Sequence, residues 1–322
     1  MTIKKLSAVV SIVLLIALLT SCSKMNTNVL KGKRILFING ETLDIAPNVY
    51  DLYLRKKTSI TLKGYDNRFI NCLCAGENGV YCCSYESGGK VKLLEVEQDR
   101  VLRVQEVTLD TQNHNNKASV KKITKFEQGY LFMICEDGSN NEEIINTESI
   151  CKYDLYQTDF EREPFKIIDG ISGYSVYDNR IIYYKPSDLV SNKTHGKNYD
   201  MFIMENGETY EIFPLGQCPY SLISGWQSKD VFYSFKEGNL VTYNLLSKEE
   251  KVVVRPHGYS FYGDDVFSIS DRYVLTFASL PWYKQNPDIT YYYLYLFDLK
   301  SCKRMLIDDN LCNECQFSYE LI

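Results

Sequence analysis

Residues 230–254 read DVFYSFKEGNLVTYNLLSKEEKVVV. Two runs rich in aromatic and β-branched residues, Val231–Phe235 and Leu240–Leu245, flank the turn Lys236-Glu237-Gly238-Asn239, and a second turn, Ser247-Lys248-Glu249-Glu250, leads into Lys251–Val254. Short apolar runs bounded by Gly, Asn, Ser and charged residues describe an antiparallel meander of three strands.

The same pattern recurs on both sides of this stretch. Runs matching Val231–Phe235 begin at Ile35, Val80, Tyr130, Ile181 and Tyr273, each after a short polar turn. The starts are 45, 50, 51, 50 and 42 residues apart, the period of a four-stranded propeller blade. With these runs as strand B of each blade, C and D strands follow in all six. An A strand precedes five of them: Phe69–Cys74, Val120–Phe126, Ile171–Tyr177, Leu222–Gln227 and Asp265–Ser270. Blade 1 has none, but the chain ends in a spare run, Phe317–Ile322. That strand is expected to supply strand A of blade 1 and to close the ring without an orphan edge. The expected fold is all-β: a six-bladed β-propeller over 33–322. A β-sandwich or a pair of β-domains predicts neither the even period nor the spare strand.

At the level of strand grammar, residues 33–322 resemble six-bladed propellers of the TolB/YWTD-like superfamily. No Tyr-Trp-Thr-Asp tetrapeptide occurs, so the resemblance implies a fold and transfers no functional residues.

The N-terminus has a basic start, Lys4-Lys5, an apolar run Leu6–Leu19 and then Thr20-Ser21-Cys22. This order describes a secretory signal, too short to span a bilayer comfortably. Leu19-Thr20-Ser21-Cys22 also resembles the bacterial lipobox. That resemblance implies removal of 1–21, a lipid on Cys22 and a lipidated tether over 22–32. The expected location is outside the cytoplasm, anchored by lipid to the cell membrane or outer membrane.

The chain carries a formal charge of −5, and its Lys and Arg residues are scattered, which argues against a nucleic-acid partner. Aromatic residues make up 13%, mostly Tyr, in keeping with strands.

Ten cysteines remain once Cys22 is set aside, an even number in an exported chain. A four-residue turn over Gly76–Gly79 would place Cys72 opposite Cys83; a slip of one residue would pair Cys74 with Cys82 instead. Cys302 with Cys312 or Cys315 would form a clasp at the closure. Buried free thiols are the alternative. Cys312-x-x-Cys315 lacks the second ligand pair that zinc needs, and no metal or cofactor is expected.

In a propeller the B–C and D–A connections emerge on one face (the loop face) and the A–B and C–D turns on the other (the turn face). Long connections, at 108–119, 136–149, 186–198, 255–264 and 280–289, all belong to the loop face. So do His114, His195 and His257, and the aromatics Tyr259, Tyr262, Trp282 and Tyr283. Loops on a rigid scaffold carry recognition, and aromatic side chains suit peptide or sugar contacts. The candidate binding set is Trp282, Tyr283, His195, His257, Tyr259 and Tyr262. No catalytic constellation stands out. The expected function is a monomeric, membrane-tethered binding or scaffold propeller for a protein, peptide or glycan. The alternative is a propeller enzyme, a hydrolase or lyase acting on glycans; carboxylates lining the funnel would favour it.

Overall fold

The computed structural model describes residues 25–39, 47–108, 118–135, 153–186, 199–215, 223–236, 238–255, 260–279, 292–308 and 315–321. At residues 39, 186, 199, 213–215, 260–265, 279, 292 and 315–321 it describes backbone alone.

The strands form six four-stranded antiparallel sheets. Blade 1 holds β1 (Arg34–Asn39), β2 (Pro47–Asp51) and β3 (Lys56–Ser59). Blade 2 runs β4 (Ile70–Ala75), β5 (Val80–Ser87), β6 (Lys90–Glu97) and β7 (Arg100–Val107). Blade 3 is β8 (Ser119–Phe126), β9 (Gly129–Cys135), β10 (Tyr153–Thr158) and β11 (Phe165–Ile171). Blade 4 follows with β12 (Gly173–Tyr177), β13 (Arg180–Pro186), β14 (Tyr199–Glu205) and β15 (Glu208–Leu215). Blade 5 comprises β16 (Gly225–Ser228), β17 (Val231–Lys236), β18 (Asn239–Asn244) and β19 (Glu250–Val254). Blade 6 has β20 (Ser260–Ser270), β21 (Tyr273–Ser279), β22 (Tyr292–Asp298) and β23 (Lys303–Asp308). The last strand, β24 (Cys315–Leu321), returns to blade 1, whose order is β24-β1-β2-β3. It pairs antiparallel with β1, Ile35 opposite Leu321 and Phe37 opposite Tyr319. The expected closure of the ring is therefore present.

The B strands read as unbroken apolar runs because both of their faces are buried. Ile35 and Phe37 pack into the seam between blades 6 and 1, while Leu36 and Ile38 pack into the seam between blades 1 and 2. In blade 3, Tyr130, Phe132 and Ile134 face blade 2, and Leu131 and Met133 face blade 4. An apolar cluster fills each of the six seams.

Three C–D turns share one device. Asp51, Asn244 and Asp298 end their C strands, and each Oδ1 accepts from the backbone N–H groups two and three residues on. The intervening leucines, Leu52, Leu245 and Leu299, donate their N–H to carbonyls just before their B strands, those of Lys33, Asp230 and Arg272. Arg55, Lys248 and Cys302 then take a left-handed conformation, with φ of 54°, 58° and 54°. An Asx side chain replaces the missing backbone partners and lets the chain reverse tightly. In blade 1 the D strand that follows this turn is Lys56–Ser59.

The N-terminal stretch is part of the ring's surface from Met25 onward. Asn26 caps a single 3-10 turn, Thr27–Leu30, its side chain accepting from Asn28 N–H at 3.1 Å. Leu30 is 1% exposed in the seam between blades 6 and 1, and Met25 and Val29 pack against the same cluster. Among the described residues no helix is long and apolar enough to cross a membrane.

Candidate functional site

The inner A strands approach each other closely around the axis. Val266 N–H donates to Ser224 O at 2.5 Å, Trp226 Nε1 donates to Ser175 Oγ at 2.8 Å, and Lys122 Nζ donates to Tyr174 O at 3.2 Å. A Cβ on Gly225 would meet Val266 O at 1.9 Å, so only glycine fits where blades 5 and 6 touch.

Among the inner strands bulged near the loop face are β4 and β8. Between β4 and β5 the register shifts from Ile70 opposite Tyr85 to Leu73 opposite Cys83, so Asn71 and Cys72 together oppose Ser84. Between β8 and β9 it shifts from Val120 opposite Ile134 to Lys122 opposite Met133, which leaves Lys121 as the extra residue. Bulges re-aim side chains at the ends of sheets. Here they collect a polar group at the loop-face end of the seam between blades 2 and 3. Asn71 Nδ2 donates to Glu86 Oε1 at 3.1 Å, to Ser119 Oγ at 3.1 Å and to Val120 O at 3.0 Å. Glu86 Oε1 also accepts Val120 N–H at 2.9 Å, and Ser84 Oγ accepts Cys72 N–H at 3.0 Å. Half-buried Lys121 stands beside this network.

Nearby thiols are poorly suited to nucleophilic work. Burial pushes the Cys72 thiol up to about 12, with the Glu86 carboxylate adding to the shift and Lys121 opposing it. Cys82 and Cys83 are raised by burial as well. These are protonated, apolar side chains of the core.

The expected Cys72–Cys83 disulfide is not formed. The bulge at Asn71 and Cys72 advances the register, Leu73 faces Cys83 and Cys74 faces Cys82, and Cys72, Cys82 and Cys83 are free thiols. Cys74 Sγ lies 3.2 Å from the Ala75 carbonyl, to which it donates, and accepts Lys125 N–H at 3.0 Å. The clasp fails too. Cys302 is a free thiol exposed on the C–D turn of blade 6, at the turn face. Cys315 pairs with Asn39 at the loop-face end of β1, so β23 separates the two by its whole length. A disulfide needs Cα atoms within about 7 Å. Cys312 lies outside the described residues.

Of the expected binding residues, Trp282, Tyr283, His195, His257 and Tyr259 lie outside the described residues, as do His114 and Cys22. Tyr262 falls on β20 itself, because that strand starts at Ser260 and absorbs part of the stretch expected as a D–A loop. The polar group at Asn71, Glu86, Ser119 and Lys121 was not anticipated. It depends on two bulges, which leave no periodic mark in the sequence.

A concavity lies on the turn face. A cleft of about 850 Å³ opens between blades 1 and 2, floored by Leu36, Val49 and Val80 and rimmed by Arg34, Asp51 and Lys56. Asn78 and Gly79, which also line it, form a tight left-handed turn, with φ of 55° and 81°.

Two arginines link neighbouring blades. Arg103 grips Glu95 with Nε to Oε2 at 2.5 Å and Nη2 to Oε1 at 2.8 Å, and reaches Asp159 O in blade 3 at 3.0 Å. Arg180 of blade 4 donates to Lys229 O and Asp230 Oδ1 of blade 5, at 2.9 and 3.1 Å. Among the described residues no three His, Cys, Asp or Glu side chains are placed to hold a metal ion.

Fold and cleft together define a closed six-bladed β-propeller whose last strand completes its first blade. No family model and no curated protein matches the chain. Solved structures do. An oligogalacturonate lyase in complex with manganese aligns over 88% of this chain and 76% of its own, with TM-score 0.54 and 13% identity. The oligogalacturonate lyase of Vibrio parahaemolyticus has the same coverage and TM-score at 12% identity. A putative TolB from Agrobacterium tumefaciens covers 90% of this chain and 97% of its own, with TM-score 0.49 and 10% identity. At such identities the likeness is one of fold.

Proposed function

We propose that this protein is a lipid-anchored propeller of a bacterial cell envelope, a monomer that binds a protein, peptide or glycan through its loop face. The anchor rests on Leu19-Thr20-Ser21-Cys22. One observation about the inner wall carries the binding role. The inner-strand side chains that are described, on β4, β8, β12, β16 and residues 266–270 of β20, include half-buried Asn71, Ser119, Lys121 and Trp226 and no carboxylate. A wall of amide, hydroxyl, ammonium and aromatic groups offers recognition; a glycosidase of the usual kind needs a carboxylate pair.

The alternative, an enzyme acting on glycans, draws on the fold shared with the oligogalacturonate lyases. The two readings separate in one experiment. Purified protein is tested against polygalacturonate for release of unsaturated product, and against arrays of envelope glycans and peptides for binding. Binding without product, weakened about 10-fold or more by Trp282→Ala with an unchanged melting temperature, supports recognition. Product release that survives purification supports the enzyme. Fatty-acid labelling of cells tests the anchor: Cys22→Ala abolishes the label.

A further inference from the structure

The turn face carries an apolar and cationic patch at the point where the chain enters the propeller. Met25, Val29 and Leu30 fix that entry in the seam between blades 6 and 1. Lys33 O, just before β1, accepts Leu52 N–H from the C–D turn of blade 1 at 3.1 Å. The C–D turn projects Tyr53 and Leu54, which are 43% and 67% exposed. Around them Lys31, Arg34, Arg55, Lys56 and Lys57 are all exposed. Backbone pairing gathers them: Arg34 lies opposite Asp51, and Asp51 opposite Lys56. Asp51 is the acidic residue in this group, and its Oδ1 is occupied by Tyr53 and Leu54 N–H. The adjacent C–D turn of blade 6 adds exposed Lys300 and Lys303, whereas the C–D turns of blades 3 and 4 carry Glu161 and Glu163, and Glu205 and Glu208.

We propose that this patch of blade 1 rests on an anionic bilayer surface. Leucine and tyrosine enter the headgroup boundary, and the lysines and arginines pair with lipid phosphates. The geometry of approach rests on the lipidation of Cys22 proposed above, whereas the chemistry of the patch does not. Three residue steps separate Cys22 from Met25, a reach of roughly 10 Å. The blade is thicker than that: β5 alone has 8 residues, a rise of about 25 Å. A lipid on Cys22 therefore holds the turn face against the membrane and directs the loop face outward, toward whatever it binds.

The test uses the chain from Ser23 to Ile322 without lipid. It contains all the described strands, including the closing one, and so the whole closed ring. It is sedimented with vesicles of phosphatidylcholine alone or of phosphatidylcholine mixed with phosphatidylglycerol. The expected result is a preference for the anionic vesicles that disappears at high salt. Lys31→Gln and Lys56→Gln each weaken it roughly fivefold, and Leu54→Ser weakens it further. Lys90→Gln, on the loop face, leaves it unchanged. Hydrogen exchange should slow at Leu52–Lys57 on vesicle binding and stay constant at Glu86–Lys90. Equal binding to both vesicles, or protection at Glu86–Lys90 in place of Leu52–Lys57, overturns the proposal. Fatty-acid labelling of Cys22 is read separately. A labelled Cys22 with no vesicle preference sinks the patch and keeps the anchor; an unlabelled Cys22 with the preference intact does the reverse.

Discussion

Leu30→Ala tests whether the N-terminal stretch is held to the ring. Leu30 is 1% exposed and shares its cluster with Ile35, Leu52 and Tyr273. Truncating a fully buried leucine costs about 2–5 kcal/mol. Here the cost is capped, because the segment before β1 is free to peel away and leave the blades intact. The expected loss is therefore about 2–3 kcal/mol. For a domain of this size that lowers the melting temperature by about 3–6 °C. The same free energy raises the undocked population roughly 30- to 160-fold, so trypsin should cut at Lys31 and Lys33 faster by that factor while the propeller core stays resistant. Thr27→Ala, at an exposed position of the same turn, serves as the control and should do neither. If Leu30→Ala melts and is cleaved like the parent, residues 25–33 are not docked, and the short reach from Cys22 to the turn face no longer orients the propeller.

Deleting 315–322 removes β24 and leaves β1 as an open edge in the ring; calorimetry should show loss of the cooperative transition, and light scattering should show aggregation. A truncated chain that melts like the parent would mean that blade 1 closes in another way. Asp298 is 3% exposed, and its carboxyl lies well below the usual range, chiefly through its hydrogen bonds with the Arg272 guanidinium, against the opposing effect of burial. Its folded pKa lies below its unfolded one, so its stabilisation is complete above about pH 5 and is lost as pH falls further. Asp298→Asn should flatten the fall in melting temperature between about pH 5 and pH 2.5; an unchanged acid limb would refute the assignment. Alkylation of native protein should modify Cys302 readily and spare Cys72, Cys82 and Cys83 until unfolding. Recovery of a Cys72–Cys83 cross-linked peptide would contradict the register of β4 on β5.

The architecture was legible in the sequence because a propeller repeats one physical problem six times. Every B strand is buried on both faces, so runs such as Ile35–Ile38 and Tyr130–Met133 are apolar without interruption and recur at an even spacing. Closure was legible by counting, since an unpaired edge at β1 calls for one more strand and the chain ends with one. The stretch Leu19-Thr20-Ser21-Cys22, which resembles a lipobox, is local and needs no fold to be read. What the tertiary structure decided was register and proximity. The sequence admitted Cys72 opposite Cys83 or Cys74 opposite Cys82, and the bulge at Asn71 and Cys72 selected the second. The same kind of shift at Lys121 brought residues from blades 2 and 3 into one polar group. The stretch before β1 reads as polar linker, yet Leu30 is buried, because its neighbour across the seam is blade 6, more than 240 residues later in the chain. A bulge, a seam and a closed ring join residues far apart in sequence, and no local pattern records such contacts.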